Sequence, residues 1–376
     1  MRVGGAGRAL GLAGALAAGA LAGCGATAAP GATLPPVPLA AATDLGASAH
    51  ATLPMGDLAS AASTFWELLV RADGRWRLAT PPDVETSGGL VASASAALTV
   101  VGVLATDRLT FSPLARSVDG SATWATGVAP GALAPTPSAL AGADDATLAV
   151  LRSDGGSVVS SDPGLAAWTT VGTTREIAAE SASGGCRLRA LTSAAIVNST
   201  DVVGGTCAAH GRGPIAARRG GRWRLVGPRL TATAAQVLRV GATTDGVVAV
   251  LETASATTRA LVVAASGRDL RSWPASPALA LQPGTRVRAT TLEPGRALVV
   301  LQLRDGRLVV RTGAAGARWT AAVALPPGTV DVVGGGTAPL EALSSHRVVV
   351  TVWARSRGAW RAVQRLIAPI AVGPSH

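Results

Sequence analysis

Short apolar runs rich in Val, Leu and Ala recur along the chain, each stopped by a polar turn that contains Gly. Residues 298–303 and 307–311 are two such runs, and Arg304-Asp305-Gly306 between them is a hairpin signal. Asp73-Gly74, Asp119-Gly120, Asp154-Gly155 and Asp245-Gly246 mark similar turns. In each, the Asp side chain braces the bend and Gly takes positive φ without steric cost. Asp201-Val-Val-Gly-Gly-Thr206 and Asp331-Val-Val-Gly-Gly-Gly-Thr337 read as one element seen in two repeats. A helical apolar period is weak throughout, and 46 Gly with 23 Pro interrupt the chain too often for long helices. The pattern predicts strands.

A longer period lies over these strands. An apolar strand, a Gly-containing turn and a Trp that opens the next strand recur at Trp76, Trp124, Trp168, Trp223, Trp273, Trp319 and Trp360. Successive positions differ by 48, 44, 55, 50, 46 and 41 residues, so seven of the nine Trp share one quasi-period. A repeat of about 40–50 residues with about four short strands matches a β-propeller blade. The expected fold is all-β, a propeller of seven four-stranded blades over residues 61–370. Residues 65–70 into Trp76 make the first hairpin, and its inner strands must come from residues 35–60, whose pattern is poor for strands. Six or eight blades therefore stay open. One Trp per blade is expected to fill the gap between neighbouring sheets, since an indole buries about 150–250 Å². Stacking on carbohydrate is the other use of such a side chain.

The amino terminus has a different character. Arg2 and Arg8 precede or open an uncharged apolar run over residues 9–22, and Leu21-Ala22-Gly23-Cys24 follows. This segment resembles the signal peptide and lipobox of bacterial lipoproteins. The resemblance implies cleavage after residue 23, a diacylglycerol on the Cys24 thiol, and a protein anchored on the outer face of the cytoplasmic membrane. An ordinary cleaved signal and a retained helix are the alternatives, but the run is Gly-interrupted and shorter than the roughly 20 residues of a span. Residues 24–60, rich in Ala, Pro, Thr and Gly, are expected to form a flexible tether.

Composition narrows the chemistry. Hydrophobic residues make up 48% and charged residues 15%, which suits a packed core. All 33 basic residues are Arg, and the formal charge of +11 falls to +9 without residues 1–23. A basic exported protein can lean on anionic lipid or acidic polymers. The Arg are scattered, however, and aromatic residues are not interleaved with them for base stacking, so no nucleic-acid partner is expected. With Cys24 carrying lipid, Cys186 and Cys207 remain as a pair in an oxidising compartment and are expected to form a disulfide. A redox or metal pair is the alternative, but CxxC spacing is lacking.

Ser117-Val118-Asp119-Gly120-Ser121-Ala122-Thr123-Trp124 resembles the Asp-box, or BNR repeat, of sialidase-like propellers, whose pattern is Ser-x-Asp-x-Gly-x-Thr-Trp. Ser121 stands where the second Gly is expected. The turns before Trp168, Trp273 and Trp319 keep less of the pattern. The resemblance implies a structural turn, with Ser117, Asp119 and Trp124 in its key positions, and it implies a fold rather than an activity. Sialidases of that kind use a Tyr nucleophile, and this chain has no Tyr.

Other catalytic patterns are thin. His50, His210, His346 and His376 are far apart, no GxSxG elbow occurs, and Gly334-Gly335-Gly336-Thr337 lacks the Lys of a phosphate loop. Glu67, Glu85, Glu176, Glu180, Glu252, Glu293 and Glu341 fall in no recognisable motif. No catalytic residue, metal ligand or cofactor is implied. The expected function is a non-catalytic binding or assembly platform for an envelope protein or a polysaccharide. The alternatives are a glycan-active hydrolase or lyase, whose paired carboxylates leave no linear signature, and a substrate-capturing lipoprotein serving a transporter.

Overall fold

Strands buried on both faces need apolar residues at consecutive positions instead of alternate ones, and β-sheets stacked face to face meet this condition. The computed structural model describes residues 34–368 except 39, 47, 57–63, 82–89, 95–98, 104–112, 129–136, 152–155, 182–184, 187, 208–210 and 336–337. The expected export segment 1–23, Cys24 and the Asp154-Gly155 turn lie outside the described residues.

Among the described residues the strands follow one another as seven four-stranded antiparallel meanders, four of which are joined by pairing into two longer sheets. The first holds β1 (Ala40–Asp44), β2 (Ala49–Gly56), β3 (Thr64–Ala72) and β4 (Arg75–Leu78). The second holds β5 (Leu90–Ala94), β6 (Thr99–Val103), β7 (Pro113–Ser117) and β8 (Ala125–Val128). The third holds β9 (Pro137–Ala143), β10 (Ala146–Leu151), β11 (Ser157–Ser161) and β12 (Trp168–Thr173), and the helix α1 (Thr174–Ser181) follows it. The fourth uses β13 (Leu188–Val197), β14 (Thr200–Cys207), β16 (Ile215–Arg219) and β17 (Arg222–Leu225). The short β15 (Gly211–Arg212) and β18 (Arg229–Leu230) pair with each other at its edge. The fifth holds β19 (Ala234–Thr243), β20 (Gly246–Ala254), β21 (Arg259–Gly267) and β22 (Leu279–Leu281). The sixth holds β23 (Arg286–Glu293), β24 (Arg296–Gln302), β25 (Leu308–Ala314) and β26 (Val323–Ala324). The seventh holds β27 (Thr329–Val333), β28 (Glu341–His346), β29 (Val349–Ser356) and β30 (Ala359–Ile367). All nine residues of β20 are buried, which explains an apolar run without alternation.

Each apolar cluster joins one meander to the next. Leu148 and Val150 of the third meet Leu188 and Val203 of the fourth around Ile177. Val197 and Ile215 of the fourth meet Val247 and Leu251 of the fifth. The last interface returns to the start: Leu53, Met55 and Leu69 of the first meander pack against Leu343, Val350 and Val352 of the seventh. This is the architecture of a β-propeller, with the first strands innermost. Among the described residues no single sheet closes on itself. Two seams do form: β1 pairs in parallel with β23, Ala40 to Thr43 against Ala289 to Leu292, and β14 pairs antiparallel with β19 at Thr206–Gln236 and Cys207–Ala235.

Three sequence expectations need correction. The stretch 24–60 carries β1 and β2, so the folded body reaches back to Ala40 instead of starting at residue 61. Its small residues hid the strands: Ala40, Ala42, Ala49 and Ala51 have little β-propensity of their own, and tight burial holds them extended. The helix α1 was not foreseen, although Thr173 and Glu176 form a capping box. The Thr173 hydroxyl accepts from Glu176 N at 3.2 Å and the Glu176 carboxylate accepts from Thr173 N at 2.8 Å. Finally, Asp201 lies in a second strand, β14, and Asp331 in a first strand, β27, so the two Asp-Val-Val-Gly-Gly segments are different elements.

Candidate functional site

Alternating strand direction gives the molecule two ends. The turns between first and second strands, and between third and fourth, lie at one end; the links from second to third strands and from one meander to the next lie at the other.

The turn end is organised by Asp and Arg. In the turn after β7, Ser117 Oγ donates to Asp119 Oδ1 at 2.8 Å and accepts from Ser121 N at 2.8 Å. Asp119 Oδ1 accepts from Ala122 N and Thr123 N, both at 3.0 Å, and Asp119 Oδ2 accepts from Thr123 Oγ1 at 2.5 Å. The Thr123 hydroxyl and amide, with the Ser117 hydroxyl, hold the Asp119 carboxyl well below the usual carboxylate range. Ser121 takes φ of 68°, the conformation for which Gly is the usual residue. Asp162 repeats part of this arrangement, accepting from Ala166 N at 3.2 Å beside Leu165 at φ 56°. Arg77 of the first meander donates to Gly120 O of the second at 2.5 Å.

The seven periodic Trp lie at the junction of third and fourth strands or in fourth strands, and each joins a different inter-meander cluster among the described residues. Four donate their indole N–H to the preceding meander. Trp76 donates to Glu341 Oε2 at 2.8 Å, Trp223 to Val171 O at 3.0 Å, Trp319 to Pro277 O at 2.9 Å and Trp360 to Ala324 O at 2.8 Å. Trp124, Trp168 and Trp273 are half-buried in the clusters of the second, third and fifth meanders. Cys186 and Cys207 form the expected disulfide, with Cα atoms 5.7 Å apart.

A buried ion network joins the first and seventh meanders at the turn end. Arg71 in β3 donates to Asp44 Oδ2 at 3.3 Å, to Gly46 O at 3.1 Å and to Glu341 Oε2 at 3.0 Å. Its guanidinium also lies 5.8 Å from the centroid of the Trp76 ring, within cation–π reach. Burial raises the Asp44 carboxyl, against the hydrogen bond from Gly46 and the charge of Arg71. Glu293 at the end of β23 pairs with Arg296. Burial pushes it up to about 7, against the Arg296 charge and with help from the nearby Asp44.

The channel between the first strands contains a cavity of about 130 Å³. Thr43, Ser93, Ser138, Thr192, Ser193 and Thr290 contribute hydroxyls to its wall, and Arg239 of β19 contributes the charge. Asp331 of β27 is fully buried near Arg239; burial pushes its carboxyl up to about 7 although Val332 N and the Thr291 hydroxyl donate to it. At the other end, residues 34–38 lie across the channel mouth. Pro35 O accepts from Gln236 Nε2 at 2.8 Å, and Val37 packs on the cluster between the fifth and sixth meanders. The mouth opens into a groove of about 640 Å³, lined in part by Trp66, Glu252, Arg286 and Arg288. Glu252 is fully buried and accepts from Arg259 Nε at 2.6 Å and Gln236 Nε2 at 3.1 Å.

Sequence reasoning placed Glu252, Glu293 and Glu341 in no motif, and it missed Asp44, Arg71, Arg239 and Asp331. Arg71 and Glu341 are 270 residues apart, so no local spacing signals their meeting. Of the His residues, His50 is buried in β2 and held down at about 4 by burial and by the Arg77 charge, while His346 is exposed. His210 and His376 lie outside the described residues. Among the described residues no group of three or more His, Cys, Asp and Glu is placed to hold a metal ion.

No family model matches the sequence, and no curated protein matches it. Solved structures do. A GH74 xyloglucanase from Xanthomonas campestris superposes with a TM-score of 0.52 at 13% identity, over 85% of this chain and 52% of that one. This chain thus spans about half the length of the xyloglucanase. The β-propeller domain of the Trilobed protease from Pyrococcus furiosus matches with a TM-score of 0.49 at 10% identity, over 89% and 98% of the two chains. YCF48 from Cyanidioschyzon merolae matches at 0.44 and 12% identity, over 88% and 97%. At such identities the likeness is one of fold, and the fold is a β-propeller.

Proposed function

We propose that this protein is a lipid-anchored, extracytoplasmic propeller of seven blades that serves as a non-catalytic binding or assembly platform for an envelope protein or glycan. The lipobox-like Leu21-Ala22-Gly23-Cys24 supports the anchor, and the Asp119 hydrogen bonds support reading its turn as an Asp-box. The observation that carries the binding reading is how the interior carboxylates are used. Asp44 and Glu341 are held by Arg71, Glu252 by Arg259, Glu293 by Arg296, and Glu67 by the Thr80 hydroxyl. A two-carboxylate hydrolase needs one carboxyl free to give a proton and another facing it across substrate. Here these five groups fasten strands and meanders to one another, and Asp331, a buried carboxyl outside any ion pair among the described residues, does not line the channel cavity. The groove at the channel mouth, with Trp66 in its wall and Arg286 and Arg288 beside it, offers a partner apolar and anion-binding contacts.

The test presents the purified protein to wall polysaccharide and to solubilised envelope proteins, and measures binding and reducing-end release together. Saturable binding without release is expected; sugar release that tracks protein concentration overturns the platform in favour of the hydrolase or lyase. The anchor has its own test. Labelled fatty acid is expected to enter the wild-type chain in cells and to be lost in Cys24→Ser, and equal labelling of both removes the lipid assignment.

A further inference from the structure

Arg239 has no role in the scheme above. It sits midway along β19, the first strand of the fifth meander, and among the described residues it is the one charged residue in the wall of the 130 Å³ cavity. We propose that the central channel is a binding site for a single small anion, a carboxylate or a tetrahedral oxyanion, held by the Arg239 guanidinium.

The hydrogen-bond inventory argues for it. A guanidinium carries five N–H donors in a planar fork suited to two oxygens of one anion. Among the described residues its one hydrogen bond runs from Nη2 to Thr43 Oγ1, at a long 3.4 Å. Thr43 thereby accepts and keeps its own hydroxyl proton to donate. Asp331 draws on Arg239 electrostatically without a contact ion pair, and its Oδ1 is already engaged by Val332 N and Thr291 Oγ1. Arg239 is half-buried in the cavity wall, and desolvating a cation with unused donors there is costly unless an anion answers it. The cavity provides the room: a single water needs only about 10–15 Å³ on the same measure, so 130 Å³ holds a small multi-atom ion. Val37 and Pro38 line both this cavity and the groove at the channel mouth. The site is separate from the platform reading and survives if that reading fails.

Calorimetric titration of the full-length protein with inorganic phosphate, and separately with acetate, reads the site. Saturable one-to-one binding of at least one probe is expected, and which one binds tells an oxyanion site from a carboxylate site. Affinity is expected to fall at least about tenfold in Arg239→Gln and to stay unchanged in Arg361→Gln, an exposed arginine on β30. Asp331→Asn guards against a folding defect in the first variant. It leaves the cavity and Arg239 in place, removes the competing carboxylate, and is expected to tighten binding several-fold. Absence of saturable binding with both probes, or one affinity shared by wild type, Arg239→Gln and Asp331→Asn, overturns the site.

Discussion

Gly172 shows how a single position prepares a seat for a large side chain. A Cβ built there collides with Nε1 of Trp223, the indole that spans the third and fourth meanders. Gly313 serves Trp319 in the same manner, since its Cβ would come within 2.9 Å of the ring. Trp223→Ala is expected to cost about 3–5 kcal/mol in denaturant unfolding, and Gly172→Ala about 1–3 kcal/mol through overpacking. The buried carboxyl of Asp331 makes a second residue-scale prediction. Its value rises from an ordinary 3.8 to about 7, so between pH 4 and 7 the native chain keeps a proton that the unfolded chain releases. Stability from this group therefore falls as pH rises across that window, by at most about 1.4 kcal/mol per pH unit, and is level above it. Asp331→Asn removes the effect, so its stability relative to wild type is expected to improve from pH 5 to pH 8. An unchanged difference between the two pH values sinks this assignment. Of these residues, Trp223 was legible in the sequence through its period. Asp331 was read as a repeat position only, because burial is a property of its neighbours.

At the scale of elements, strands and turns were readable where apolar runs met Asp-Gly pairs, as in β24 and β25 around Asp305-Gly306. There Asp305 Oδ1 accepts from Arg307 N at 3.0 Å, a local bond that needs no help from the rest of the fold. β1 and β2 were illegible for the opposite reason, since their Ala residues stay extended only under tertiary burial. The disulfide was accessible from cysteine counting, and the pairing of Leu188 with Cys207 explains how β13 and β14 bring the two Cys together. With a sequence separation of 21, reduction is expected to cost about 3 kcal/mol in the chain-entropy account. Unfolding with and without reductant measures it. The capping box on α1 sets a smaller effect: Thr173→Ala is expected to lose about 1 kcal/mol, and loss of helix protection in hydrogen exchange would place it at Thr174–Ser181.

At the scale of the molecule, the first and last meanders must meet. Gln364 of β30 donates to Trp76 O at 2.6 Å and accepts from Trp76 N at 3.0 Å, while Trp76 and Arg71 both reach Glu341. Gln364→Leu is expected to cost about 1–3 kcal/mol and to speed amide exchange in the first and seventh meanders while the third to fifth keep their protection. Uniform loss across the chain would mean that this contact is not a distinct seam. By itself the sequence determined the class of fold, the turn positions and the recurring Trp, because apolar runs, Asp-Gly bends and a bulky side chain at near-even intervals each act within one repeat. Only the tertiary structure decided which charges meet, which carboxyls lose their water and where Arg239 points. Those outcomes depend on groups hundreds of residues apart arriving in one low-dielectric interior, and no local pattern of side chains encodes that arrival.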